Sequence, residues 1–259
     1  MQGHCYNPKM LVIDHLTKRF GEKVAVDGLC LKVAPGELYA FLGPNGAGKT
    51  TTLKCVAGLL WPTEGRVLVG EHDVHVAPVA AKRLLSYVPD QPYLYEKLSG
   101  REFLHFVGRL YGLGREACAE AVERLLAVFE AEEWADELAE NYSHGMRQKI
   151  VLSSALLHGP RLLVIDEPMV GLDPRSTKIV KGVLRERVAA GCAVLMSTHT
   201  LSVAEEVADR IGIIDRGRLV AEGTWRELRR SASDSARLED IFLELTSGAS
   251  PSEAPTAPA

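Results

Sequence analysis

Residues Gly43 to Thr51 read Gly-Pro-Asn-Gly-Ala-Gly-Lys-Thr-Thr, which fits G-x-x-x-x-G-K-[ST] from Gly43 through Gly48, Lys49 and Thr50. The apolar run Leu38–Leu42 before it reads as a buried strand. Thr50–Leu60 after it reads as a helix with Leu53, Val56, Ala57 and Leu60 on one face. A glycine-rich turn from strand into helix aims successive backbone N–H groups, and the positive end of the helix, at one point. Only small residues let the main chain approach a polyphosphate that closely. Gly43, Pro44, Asn45, Gly46, Ala47, Gly48, Lys49, Thr50 and Thr51 are therefore the candidate phosphate contacts. In this pattern Lys49 neutralises charge on the β- and γ-phosphates, and the Thr50 hydroxyl ligates Mg²⁺. The implied ligand is a nucleoside triphosphate.

Hydrolysis needs a metal carboxylate and a base besides. Leu162–Pro168 reads LLVIDEP, a hydrophobic strand ending in two adjacent acids. So short an apolar run fits a central parallel strand covered on both faces. Such a strand delivers Asp166 and Glu167 to the C-terminal sheet edge, where ligands of open α/β sheets collect. Side chains alternate along a strand, so the two acids need not share a target. Asp166 is assigned to the Mg²⁺ shell and Glu167 to polarising the attacking water.

Three further segments follow in order: YSHGMRQK at Tyr142–Lys149, GLDP at Gly171–Pro174 and STH at Ser197–His199. With the phosphate loop and the acidic pair, their order and spacing resemble the ATP-binding subunits of ABC transporters, from Leu11 to about Leu245. The resemblance implies that Tyr142–Lys149 is the signature motif, GLD the D-loop and His199 the switch histidine. It also places Phe20 where an aromatic ring stacks on adenine. Ser143 is a good N-cap, and Met146 to Leu157 reads as a helix ending near His158-Gly159-Pro160. That helix start offers a hydroxyl and the Gly145 amide to an anion. The family implies that Ser143 and Gly145 meet the γ-phosphate of ATP held by the opposite subunit, in a homodimer or heterodimer.

Two departures from the family pattern stand out. The commonest signature is LSGGQ, whereas Tyr142, His144 and Met146 fill its first, third and fifth places here. This variant resembles subunits that serve ABC-2-type exporters. Where the family ends a strand with a Mg²⁺-sensing glutamine, the chain reads SYVPDQP, Ser86 to Pro92. The expected place falls on Asp90, with Gln91 one position later. Asp90 ligating the metal and Gln91 shifted into the site both remain open, with Gln91 slightly preferred.

The positioning elements are legible in outline. Leu11–Phe20 and Lys23–Val33 read as antiparallel strands around Gly21-Glu22, and Arg66–Val69 as another strand. Ser99 and Glu102 make a capping box, followed by a stripe of Phe103, Phe106, Val107 and Leu110 and a second of Val122, Leu125, Leu126 and Phe129. Both stripes are taken as core. Asp173 and Pro174 start a later helix, Ser202 with Glu205 caps the one after His199, and Ile211–Ile214 with Arg218–Val220 form a hairpin around Arg216-Gly217. Leu238, Ile241, Phe242 and Leu245 stripe a short last helix, and SGASPSEAPTAPA beyond it is expected to be disordered. The fold class is α/β: a P-loop NTPase core with a mixed sheet, an N-terminal antiparallel β subdomain and an inserted α-helical subdomain. The expected division is 1–245 for the ATP-binding domain, with the helical insertion at about 97–142, and 246–259 for the tail.

Composition limits the function classes. A chain of 259 residues, 46% hydrophobic, can build a substantial core, in one domain with a sub-domain. Its net charge of −4 does not advertise nucleic-acid binding. No apolar run approaches the ~18–20 residues of a membrane span, and the first residues lack a signal-peptide core. Any transport pathway must then lie in a transmembrane permease on a separate chain, with this chain peripheral on the cytoplasmic face of the membrane. Cys5, Cys30, Cys55, Cys118 and Cys192 are scattered without C-x-x-C spacing, which fits reduced thiols. His72 and His75 are read as surface-loop residues. The alternative function is a soluble ABC-type ATPase acting on DNA or ribosomes. Members of that kind carry coiled-coil insertions or a second cassette, and neither is present.

Overall fold

The structure, a computed structural model, describes residues 9–232 and Phe242. Along the chain run β1 (Leu11–Phe20), β2 (Lys23–Val33), β3 (Leu38–Leu42), α1 (Lys49–Val56), β4 (Glu64–Val69), β5 (His72–Asp73), α2 (Pro78–Leu84) and β6 (Leu85–Val88). A helical stretch follows, with α3 (Gly100–Leu110), α4 (Arg115–Val128) and α5 (His144–Leu156). The remainder is β7 (Leu162–Asp166), α6 (Pro174–Ala189), β8 (Ala193–Thr198), α7 (Leu201–Val207), β9 (Arg210–Asp215), β10 (Arg218–Gly223) and α8 (Trp225–Ala232).

Two sheets form. The antiparallel one has the order β2-β1-β4-β5, and the mixed one β10-β9-β3-β8-β7-β6, parallel from β9 to β6 with β10 antiparallel at its edge. Together with α3 and α4 inserted between β6 and β7, this is the expected α/β architecture. The strands β3, β7 and β8 are buried along their whole length. Alternation divides their side chains between two cores. Tyr39, Phe41, Leu162, Val164, Ala193 and Leu195 face the antiparallel sheet and α1. Leu38, Leu42, Leu163, Ile165, Val194 and Met196 face the helices on the other side. A strand buried on both faces has no polar positions to alternate with, so it reads as a continuous apolar run.

The parallel register brings four strand ends to one edge: Leu42 opposite Thr198, Asp166 opposite Ser197 and Val88 opposite Ile165. Each of these ends leads directly into a segment singled out by sequence.

Several boundaries differ from expectation. Helix α1 stops at Val56 rather than Leu60, because Gly58 takes φ +66° and the Leu59 and Leu60 amides turn back onto the Lys54 carbonyl. Helix α5 starts at His144, directly after its Ser143 cap. Thr200, not Ser202, precedes α7, so the expected Ser202–Glu205 capping box does not form. The stripe of Phe103, Phe106, Val107 and Leu110 is core only in part: Phe103 and Val107 pack partly buried against the helix-side core. Phe106 is 40% and Leu110 70% exposed, while Gly100, Leu104 and Gly108 are buried. The cause is close packing through glycine: a Cβ on Gly108 would lie 2.4 Å from Cys118 Sγ, and one on Gly100 2.7 Å from the Tyr142 hydroxyl. In α4, by contrast, Val122, Leu125, Leu126 and Phe129 are all buried as expected. Arg216 and Gly217 both adopt positive φ at the β9–β10 turn, as a two-residue hairpin requires. Phe242 packs partly buried against the helix-side core, whereas Cys5, Leu238, Ile241, Leu245 and the proline-rich tail lie outside the described residues.

Candidate functional site

Beyond β3 the chain turns through Gly43–Gly48 into α1. Gly43 and Gly48 are required by their own neighbours: a Cβ would come within 2.4 Å of the Ile214 carbonyl at Gly43 and of the Ala25 carbonyl at Gly48. Gly46, at φ +81°, has nothing within 4 Å of its Cβ position and faces open space. Gly48 is also the N-cap of α1, and no side chain caps that helix. Helices α3, α5 and α6 are capped by Ser99, Ser143 and Asp173. The uncapped first-turn N–H groups of α1, with no acid in that turn, suit an anionic phosphate chain.

Phe20, Lys23, Asn45, Lys49, Thr50, Asp90 and Glu167 line one cavity of about 490 Å³ with Gly46 and Gly48. Lys49 is buried, and its Nζ donates to the carbonyls of Gly43 (2.7 Å) and Pro44 (3.2 Å). It lies 4.0 Å from Glu167 Oε1. Burial pushes the Lys49 ammonium below its ordinary range, while Glu167 and Asp166 pull it back up.

The two acids part company as alternation demands. Asp166 is fully buried, and its Oδ1 accepts a short hydrogen bond from Ser197 Oγ. Its Oδ2 is buried and has no hydrogen-bond partner among the described residues. Burial raises its carboxyl above the usual range, opposed by Ser197 and the Thr50 hydroxyl and reinforced by Asp90 and Glu167. An orphaned carboxylate oxygen grouped with Thr50, Asp90 and Glu167 is a hard-oxygen donor set, which fits Mg²⁺ or its bound water. Glu167 stands just past β7 at φ +51°, a left-handed conformation that is uncommon away from glycine. Its N–H donates to the Ser197 carbonyl and Oγ, both at 3.2 Å. Its Oε1 lies 2.9 Å from His199 Nδ1, and its Oε2 accepts from the His199 N–H at 3.4 Å. The turned backbone aims the carboxylate toward both Lys49 and His199.

The sequence candidates are thus gathered unevenly. Asp90 lines the cavity. Gln91 is exposed and does not line it. Ser143 and Gly145 also lie outside the cavity: Ser143 is exposed and accepts from the Met146 N–H at 3.3 Å. Gly145 faces Gly171 and Leu172 of the GLD turn. Lys23 and Ala25 were not anticipated from sequence. The signal was the hairpin itself, since Phe20 and Lys23 pair directly across its tip. Lys18 Nζ sits 5.0 Å over the Phe20 ring.

Comparison with known proteins agrees with this geometry. The ABC transporter family model matches residues 26–170. A daunorubicin resistance ATP-binding protein of Streptomyces coeruleorubidus is 39% identical over 90% of this chain and 74% of its own length. A Nod factor export ATP-binding protein of Cupriavidus metallidurans is 38% identical over 85% of this chain and 72% of its own length. The solved structure of an ATP-binding subunit of an ABC transporter superposes with a TM-score of 0.86, at 32% identity, over 91% of this chain and 99% of that one. Among the described residues no helix is long and apolar enough to cross a membrane. The chain belongs to the ABC transporter family, as an ATP-binding and ATP-hydrolysing subunit that powers a separate permease.

Proposed function

We propose that this subunit drives an ABC-2-type exporter from the cytoplasmic face of the membrane, through closure of two ATP-binding subunits on two ATP molecules. The observation that carries the chemistry is Glu167, aimed by a positive-φ backbone between His199 and Lys49 in the phosphate-loop cavity. Glu167 takes a proton from the attacking water, and His199 holds the Glu167 carboxylate and contacts the γ-phosphate. Lys49 and the α1 N-terminus carry the charge of the β- and γ-phosphates, and Phe20 stacks on the base. Thr50, Asp166 and Asp90 would hold Mg²⁺, which when bound neutralises charge on the phosphates. Ser143 and Gly145 meet the γ-phosphate of the opposing subunit. The ATP-binding domain spans residues 1–245 with its helical subdomain at about 97–142.

The permease connection is supported by an aromatic surface beside Asp90. Tyr93 is 73% exposed and Tyr95 half exposed. Tyr95 makes edge contacts with Tyr93 (6.0 Å), Phe103 (6.1 Å) and Phe106 (5.7 Å). This surface joins the Asp90–Tyr95 loop to α3, so movement at the nucleotide reaches the helical subdomain and a permease seated on it. Sequence relatives named as daunorubicin resistance and Nod factor export ATP-binding proteins support the outward direction.

The test is Glu167→Gln. ATP binding should persist while turnover falls roughly 10²–10⁴-fold, about 3–5 kcal/mol of barrier. Turnover near that of the parent would remove Glu167 from the base role. Co-purification of a polytopic protein from membranes checks the partner, and recovery of ribosomes or DNA instead would overturn it.

A further inference from the structure

The hairpin β1–β2 contains an irregularity that the nucleotide chemistry does not use. Ile13 pairs with Leu31 and Leu16 with Leu29, so Asp14 and His15 together oppose the single residue Cys30. Two residues against one is a β-bulge. On a regular strand, neighbouring side chains point to opposite faces. Here His15 takes φ +50°, and the bulge swings its ring onto the side of Asp14, with Nδ1 2.9 Å from Asp14 Oδ1. Cys30 closes the group from the partner strand, its sulfur accepting from the His15 N–H at 3.3 Å.

The bulge is held on its other flank as well. In β4, Gly65 at φ +80° presses so closely that a Cβ there would lie 2.2 Å from the His15 carbonyl oxygen. Arg66 Nε takes the far oxygen of Asp14, Oδ2, at 3.0 Å. That contact orients the carboxylate and leaves Oδ1 turned to His15. One sulfur, one nitrogen and one oxygen donor come within 4.8 Å of one another, with His15 and Cys30 exposed.

We propose that Asp14, His15 and Cys30 form a surface site for a borderline-soft divalent cation of the Zn²⁺ class, unconnected with the nucleotide metal. The donor chemistry selects the ion. Thiolate and imidazole suit Zn²⁺, whereas Mg²⁺ and Ca²⁺ want oxygen alone. Tetrahedral Zn²⁺ with Zn–S near 2.3 Å and Zn–N and Zn–O near 2.0 Å needs donor atoms about 3.3–3.6 Å apart. The His15 Nδ1–Asp14 Oδ1 pair, now at 2.9 Å, must open slightly while the Cys30 sulfur draws in, and exposed side chains supply both adjustments. Binding releases the Cys30 thiol proton to solvent, shifts the His15 ring proton from Nδ1 to Nε2 so that Nδ1 can ligate, and leaves the fourth position to water. The ion cross-links β1 to β2 in the hairpin whose tip carries Phe20 and Lys23 into the nucleotide cavity.

The experiment is a Co²⁺ titration of the reduced full chain, read by the thiolate-to-cobalt charge-transfer band. Cobalt bound at the nucleotide site has no sulfur ligand and gives no such band. The band should saturate at one equivalent, be displaced by Zn²⁺, vanish in Cys30→Ser and weaken at least tenfold in apparent affinity in His15→Ala. No band in the parent, a band surviving in Cys30→Ser, or unchanged affinity in His15→Ala would overturn the site. A second measurement needs no variant: Zn²⁺ should protect Cys30 from iodoacetamide in the parent chain, followed by mass spectrometry of its peptide. Equal alkylation with and without Zn²⁺ would overturn it too.

Discussion

Lys49 is a buried cation whose only hydrogen-bond acceptors among the described residues are carbonyls of its own loop, with a carboxylate 4.0 Å away. Desolvation already works against its charge, so an anion placed at the α1 N-terminus gains more from it than from a surface lysine. Lys49→Ala should therefore cost about 1.5–3 kcal/mol of ATP binding, the range for a charge-assisted hydrogen bond. That corresponds to a roughly ten- to hundredfold rise in Kd. Calorimetric titration with a non-hydrolysable analogue checks it, and an unchanged Kd would contradict the phosphate-loop assignment. The spacing of Gly43, Gly48, Lys49 and Thr50 made this much legible in advance, because the pattern is local. The orphaned Oδ2 of Asp166 and the left-handed φ of Glu167 were not legible. Both arise where β7 meets β8, through Ser197, a contact between residues distant in sequence.

At the scale of elements, the departures from LSGGQ gain physical reasons that a one-dimensional comparison lacks. The Tyr142 hydroxyl accepts from the Gly100 N–H at 2.9 Å and lies 3.2 Å from the carbonyls of Trp134 and Ala135. Its ring meets Trp134 edge-on at 5.1 Å. It thereby ties the signature loop to the start of α3. His144 packs over Gly171, where a Cβ would lie 2.5 Å from the imidazole Cδ2, and so joins the signature helix to the GLD turn. Met146 is partly buried against the helix-side core. Tyr142→Phe keeps the ring but strands the buried Gly100 N–H, so the fold should lose about 1–3 kcal/mol. The check is the midpoint of urea unfolding at constant slope; a midpoint equal to the parent's would mean the hydroxyl holds nothing. The same elements mark the limit of reading periodicity. In α4 large apolar residues line the buried face, and the stripe predicted it. In α3 the buried face is Gly100, Leu104 and Gly108, and small residues carry no hydrophobic signal even where packing is tightest.

At the scale of the whole molecule, one chain carries every residue of the proposed nucleotide site but does not assemble them in one place. Lys49, Asp90 and Glu167 face the cavity, while Ser143 at the head of α5 is exposed and outside it. Two copies packed head to tail would complete two sites, each phosphate loop facing the other chain's α5 N-terminus. The contact then depends on ATP, and slow hydrolysis should trap it. Glu167→Gln with Mg²⁺-ATP is therefore predicted to run as a dimer in light scattering and as a monomer without nucleotide. Adding Gly145→Asp places a carboxylate where the proposed closure brings the partner's γ-phosphate. A Cβ at Gly145 meets only the Gly171 carbonyl and Leu172 Cδ2, both at an ordinary 3.7 Å, so the variant should fold. Like charges repel at that contact, but the cavity residues of the same chain are untouched. The double variant should thus bind ATP with affinity within about twofold of Glu167→Gln, less than ~0.5 kcal/mol, yet remain monomeric. A dimer unaffected by Gly145→Asp, or Glu167→Gln that stays monomeric in saturating ATP, would dissociate the signature helix from the opposing phosphate and remove the closure step from the proposed cycle.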